Sequence, residues 1–221
     1  MNSLSISGKN WIPKKYNEED LNFLKENFSL DEITSKLLSI RRINKEDINS
    51  FLNPTIKNIL PNPNNLVDME KTTQRTIKAI SDREKIGIFG DYDVDGATST
   101  ALLGNYFSEL GLDFEIYIPD RRKEGYGPSI ESFKDLINKK VNLIFTVDCG
   151  TLSFDAMNFA KENKIDVIVL DHHQSEVKLP NAFSIVNPNR IDDKSNLQYL
   201  CAAGVSFMFL VSLNRELRSN N

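Results

Sequence analysis

Three short apolar runs in this chain each lead into an aspartate. Ile86-Gly-Ile-Phe89 passes through Gly90 into Asp91, Leu143-Ile-Phe-Thr-Val147 runs into Asp148, and Val167-Ile-Val-Leu170 runs into Asp171. Brief apolar runs rich in β-branched and aromatic residues predict strands buried on both faces. Between them lie amphipathic stretches at 98–110, 130–139 and 154–163, with apolar residues three and four apart, the period of a helix. Residues 114–118 and 183–186 are two further strand candidates, and 200–215 reads as a closing helix. This alternation predicts an α/β fold, a parallel sheet with helices on both faces. Ligands bind outside the carboxyl ends of such strands. One strand-end aspartate is explained as a helix cap; three at one edge are not.

The first of these edges is the densest. Gly90-Asp91-Tyr92-Asp93-Val94-Asp95-Gly96-Ala97-Thr98-Ser99 puts three carboxylates on a turn that opens a helix. Such a concentration of negative charge needs an added cation, and a divalent metal is the simplest supplier. A solvated acidic turn does not fit directly after a buried strand. A calcium loop of the EF-hand type requires glutamate at its twelfth position, where this chain has Leu102, and a helix before the loop. The aspartyl-phosphate enzymes of the haloacid dehalogenase kind resemble Asp93-Val-Asp95-Gly96, but there threonine usually follows the glycine directly, and here Ala97 intervenes. A hydrolytic metal cluster remains.

His172 and His173, the only histidines, follow Asp171. Imidazole beside carboxylate suits manganese or another transition ion. Successive side chains on a strand point to opposite faces, so one histidine is assigned to a metal and the other to the substrate.

In 221 residues of net charge -4 there is no global basic field, and any polyanion site must be local. The first residues lack the apolar core of a signal peptide, and the longest apolar stretch, 200–213, is too short and too interrupted to span a bilayer. A cytoplasmic protein with Cys149 and Cys201 as reduced core thiols is expected. Residues 1–84 read as a helical leader. Trp11-Ile12-Pro13 is an extended lead-in, Asn17, Ser29 and Asn44 are N-cap candidates, Pro61-Asn-Pro-Asn-Asn65 is a turn cluster suited to a hinge, and 67–82 is an amphipathic helix.

Taken in order, the Asp-x-Asp-x-Asp-Gly turn, the Val-Asp148-Cys-Gly turn and Asp171-His172-His173 resemble the DHH phosphoesterase superfamily. The wording of the first turn, followed by Arg121-Arg122-Lys123-Glu-Gly-Tyr126-Gly127, is similar to its RecJ branch of single-strand-specific 5′→3′ exonucleases. Phe51-Leu-Asn-Pro54, Asn187-Pro188-Asn189-Arg190 and Ala203-Gly204-Val205 fit as well, so the resemblance covers nearly the whole chain. It implies metal-dependent phosphodiester hydrolysis of single-stranded DNA in repair and recombination, with replication or repair proteins as partners and no membrane. Its rivals are a phosphodiesterase on short oligonucleotides or small phosphoesters, and a catalytically weak, truncated scaffold.

The resemblance also implies two divalent ions, Mn2+ or Mg2+. Asp91, Asp93 and Asp148 would hold one, and Asp95, Asp148 and His172 the other, with Asp148 bridging. His173 would contact the scissile phosphate and Asp171 would orient a histidine. Arg121, Arg122 and Lys123 read either as a solvated turn or as phosphate contacts, and Arg190 as a further DNA-binding residue. Many relatives carry histidine where this chain has Phe89, and Asp91 offers the substitute carboxylate. The family has a further aspartate beyond the closing helix. Residues 85–221 are therefore expected to be a DHH domain incomplete at its C-terminus, with Asp192 and Asp193 as stand-in candidates. Phe207, Phe209 and Leu213 are expected to be exposed on the closing helix.

Overall fold

The computed structural model describes residues 5–10, 12 and 14–219. Trp11 and Pro13, and with them the extended lead-in, lie outside the described residues. The chain divides into two compact units, Met1–Leu60 and Pro61–Asn221.

The smaller unit holds helices α1 (Glu18–Phe28), α2 (Glu32–Arg41), α3 (Ile48–Leu52) and α4 (Ile56–Ile59). Asn17 caps α1, its side chain accepting the Glu19 and Asp20 amides. Ser29 is not an N-cap but the C-cap of α1, with φ 52°, and Asp31 caps α2 through the Ile33 and Thr34 amides at 2.9 and 3.0 Å. A carboxylate offers two acceptors, and the second takes the Thr34 hydroxyl at 2.6 Å. Nor is Asn44 a cap, since α3 starts after Asp47. Leu24, Leu38 and Ile48 form the core of this unit.

The larger unit contains α5 (Met69–Ser81), β1 (Ile86–Gly90), α6 (Val94–Glu109), β2 (Phe114–Tyr117), α7 (Ile130–Asn138), β3 (Leu143–Val147), α8 (Phe154–Glu162), β4 (Asp166–Leu170), β5 (Ser184–Val186) and α9 (Ala202–Ser219). The strands form one parallel sheet in the order β2-β1-β3-β4-β5. Side chains alternate across it. Ile86, Ile88, Phe145, Ile168 and Val186 meet one apolar cluster with Leu103, Phe107 and Phe209. Phe89, Ile144, Val167, Val169 and Ile185 meet the other with Phe133, Leu136 and Met157. So α5, α6 and α9 cover one face, and α7 and α8 the other. From β1 the chain goes outward to β2 and then crosses back to β3, so the strand order reverses between β1 and β3. The crevice at such a reversal opens at the carboxyl edge.

Three features depart from the sequence reading. Helix α5, grouped there with residues 1–84, belongs to the larger unit, and the division falls beside the 61–65 turn cluster. The reason is burial: Met69 and Ala79 enter the sheet's core, and Thr72 and Thr73 bond the hydroxyls of Ser184 and Ser212 at 2.7 and 3.0 Å. Phe209 and Leu213 are fully buried, because α9 packs against α5 and α6; Phe207 alone of the three is exposed. Cys149 is buried as expected, but Cys201 is exposed, just ahead of α9.

Candidate metal centre

The parallel register sets the site. Gly90 lies opposite Val147, Val147 opposite Leu170, and Leu170 opposite Val186. The next residue on each strand is therefore Asp91, Asp148, Asp171 and Asn187, four polar side chains side by side. The Asp91 amide donates to Val147 O at 3.3 Å, Asp148 to Leu170 O at 3.0 Å and Asp171 to Val186 O at 3.1 Å, so the ladder extends through the aspartates.

Helix α6 begins at Val94, earlier than its apolar period indicates, because Asp93 caps it through the amides of Asp95 and Gly96 at 2.9 and 3.0 Å. Only glycine fits at 96: a Cβ there would stand 2.4 Å from Asp91 O. Gly96→Ala should therefore push the Asp93 turn away from Asp91. Its expected cost is about 1–3 kcal/mol, the usual range for overpacking, read in thermal melts, together with weaker cation binding. An unchanged melt would show that the turn yields without strain.

Asp148 adopts φ 61°, a left-handed conformation rare for a residue with a side chain, and is 2% exposed. Asp91, Asp93 and Asp148 each bring one oxygen within 4.8 Å of the others, and Asp148, His172 and His173 form a second such group. Asp148 is common to both. Oδ1 of Asp91 and Oδ1 of Asp148 are buried and accept no hydrogen bond among the described residues. Burial raises the Asp91 carboxyl above its usual range. Burial, with the charges of Asp95 and Asp93 beside it, pushes Asp148 up to about 8. Buried carboxylate oxygens crowded together without hydrogen-bond donors are destabilising unless a cation compensates them. The donor set, carboxylate oxygen with imidazole nitrogen, suits a divalent ion.

The sequence-predicted residues fall as follows. His172 Nε2 stands 3.3 Å from Asp148 Oδ1 and 3.6 Å from Asp95 Oδ2. Asp95 also accepts the amides of Ala202 and Ala203. The backbone turns at Asp171, so both histidine rings reach the cluster, with centroids 4.8 Å apart. Asp171 Oδ1 lies 2.8 Å from His173 Nδ1 and also accepts the His172 and His173 amides at 2.7 and 3.2 Å. Its Oδ2 accepts the Thr151 amide at 3.1 Å. Burial alone would raise Asp171, but the bonds from the His173 ring and Thr151 outweigh it and hold the carboxyl low. In return, Asp171 raises the His173 imidazole. For Asp93, the Gly96 amide is the main reason its carboxyl is lowered.

Three residues had no assigned role in the sequence reading. The Tyr126 hydroxyl donates to Asp148 O at 2.9 Å and stands 3.1 Å from His173 Nδ1. The glycines on either side, at φ 80° and 79°, are the signal that this loop folds back over the edge. Asn187 Nδ2 donates to Thr151 Oγ1 and to His173 O, both at 2.9 Å, and Asn189 Nδ2 donates to His172 O. Both asparagines were visible as part of a motif, but only the register assigns Asn187 to the end of the aspartate row.

Arg121, Arg122 and Lys123 form an exposed turn after β2, with Arg121 5.2 Å from the ring centre of Tyr92. Arg190 does not join them. It is 9% exposed, and its guanidinium bonds Asp68, Asp192 and Ile185 O at 2.6–2.9 Å. Four of its five donors are spent on Asp68, Asp192 and the Ile185 carbonyl, so its main role is to tie these segments together. Asp192 is spent on that pair, and Asp193 accepts from Val67 N and Ser195 N. Neither belongs to a ligand group found among the described residues.

Residues 85–221 match the model of the DHH family, N-terminal domain. The chain belongs to the DHH family. Its curated relatives include the single-stranded-DNA-specific exonuclease RecJ of Bacillus subtilis, 32% identical over 207 residues that span 94% of this chain and 26% of that protein. RecJ of Haemophilus influenzae is 40% identical over 168 residues, covering 76% and 29% respectively. Among solved structures, a manganese-bound exonuclease RecJ is 32% identical with a TM-score of 0.63, over 69% of this chain and 38% of that one. RecJ of Thermus thermophilus in complex with Mn2+ is 25% identical with a TM-score of 0.72, over 91% and 28%. The chain thus spans little more than a quarter of the length of these curated relatives.

Proposed function

We propose that this DHH domain hydrolyses phosphodiester bonds of single-stranded DNA from the 5′ end, with manganese or magnesium as cofactor, in the cytoplasm and in the service of DNA repair and recombination. The observation that carries the reading is the pair of buried, unpartnered carboxylate oxygens on Asp91 and Asp148 beside His172. Asp91, Asp93 and Asp148 would hold one ion, and Asp95, Asp148 and His172 a second. Such a pair, when bound, supplies a hydroxide near neutral pH and neutralises charge on the phosphate. The chain's own groups do the rest. Asp171 fixes the His173 ring at Nδ1 and favours its protonated form, which faces the centre as a donor to a phosphate oxygen. Tyr126 steadies the same ring and the strained Asp148 backbone. Arg121, Arg122 and Lys123, on the loop following β2 at the same edge, would bind backbone phosphates.

RecJ relatives at 32–40% identity favour single-stranded DNA over short oligonucleotides or small phosphoesters. The test is release of nucleotides from a 5′-labelled single strand with Mn2+, run beside a dinucleotide and a duplex. Loss of the label first from the single strand is expected, and faster turnover of the dinucleotide would reverse the substrate reading. His173→Ala should lower the rate by about 10²-fold or more, the scale of a positioned proton donor, and lower the melting temperature modestly, because buried Asp171 loses its ring partner while keeping the His172 and Thr151 amides. Wild-type rates in that variant would remove His173 from the reaction.

A further inference from the structure

Asp95 lies in the first turn of α6, yet its two oxygens accept the amides of Ala202 and Ala203 at 2.7 and 2.8 Å, the opening residues of α9. A helix leaves its first amides without intrahelical partners, and Cys201, the residue before α9, has no side-chain oxygen to accept them. The cap comes instead from 107 positions earlier in the chain. The positive end of the α9 dipole adds to the attraction. The oxygen that takes the Ala202 amide is also 3.6 Å from His172 Nε2, which in turn stands 3.3 Å from Asp148 Oδ1.

We infer that Asp95, beyond its place among the ligands of the second ion, links the docking of α9's first turn to the state of the metal centre. The two α9 amides fix the direction of the Asp95 carboxylate toward His172 and Asp148, and a cation held there fixes the first turn of α9 in return. The inference rests on the metal reading above. Linkage makes the effect mutual: whatever the cap contributes to cation affinity, the cation contributes to the cap. The body of α9 is anchored independently, with Phe209 and Leu213 fully buried, so the response is confined to its opening turn.

Amide hydrogen exchange read by NMR on the whole chain, with Mg2+ as the probe, tests this without reference to activity. In the metal-free protein, Asp95→Ala should speed exchange at Ala202 and Ala203 by tenfold or more while the amides of β3 stay as they were. Asp95→Asn, which keeps one acceptor oxygen, should fall between and serves if the alanine variant does not fold. In the wild type, Mg2+ should slow exchange at those two amides, and in Asp95→Ala it should not. Unchanged exchange in the variants overturns the inference. So does a wild type that melts higher with Mg2+ while Ala202 and Ala203 are unaffected. If Mg2+ leaves wild-type melting unchanged, the metal reading fails and takes the link with it, whereas exchange in the metal-free variants still reports the cap alone.

Discussion

Asp148→Asn should abolish metal-dependent hydrolysis and yet make the metal-free protein more stable at pH 8. Asp148 belongs to both ligand groups, so its loss should cost several kcal/mol of transition-state stabilisation, about 10³-fold in rate. The stability effect has the opposite sign. Burial and the charges of Asp95 and Asp93 push the native carboxyl up to about 8, from 3.8 in an open chain. Between those values the native state holds a proton that the unfolded state has released. Its stability is therefore greatest below about pH 4 and falls as pH rises through 8, at up to about 1.4 kcal/mol per pH unit from this group. Asparagine carries no charge to bury and removes that slope. Thermal melts in EDTA at pH 5 and pH 8 measure the effect, and manganese should restore the wild type at pH 8 but not the variant. A variant that melts below the wild type at pH 8 without metal would mean that the buried charge is already compensated.

Arg190→Ala should destabilise the protein rather than loosen its grip on DNA. The guanidinium is 9% exposed and bonds Asp68, Asp192 and the Ile185 carbonyl, joining the residue before α5 to the end of β5. Removing it leaves the Ile185 carbonyl without its donor and the Asp68 carboxylate with the Ile185 amide alone; because Asp68 and Asp192 are 28% and 61% exposed, the cost is about 1–3 kcal/mol. Lysine should rescue little, because one ammonium cannot reproduce the fork that bonds both Asp192 oxygens. Denaturant titration measures the loss. The salt dependence of DNA binding should flatten for Arg121→Ala. An Arg190→Ala variant as stable to denaturant as the wild type would return Arg190 to the phosphate track.

Residues a few positions apart were enough to determine much of this molecule. The apolar runs of β1, β3 and β4, and the aspartate closing each, are local facts, because burial on both faces and the α/β alternation are written in patterns of ten or fewer residues. Asn17 as the cap of α1 is of the same kind. What the sequence did not contain was partner choice. That Asp91 stands beside Asp148 follows from the β1–β3 pairing, and that Asn187 closes the row follows from β4–β5. Amphipathicity made 67–82 a helix but could not say which surface its buried face would meet, so its place in the larger unit rests on Ser184 and Ser212, more than a hundred residues away. Arg190 looked like a surface cation because its carboxylate partners include Asp68, 122 positions earlier. Phe209 and Leu213 looked exposed because α5 and α6 were not yet placed around α9. Tertiary structure decided these points for one physical reason: a side chain's pKa, burial and hydrogen bonds depend on what the fold brings within a few ångströms of it.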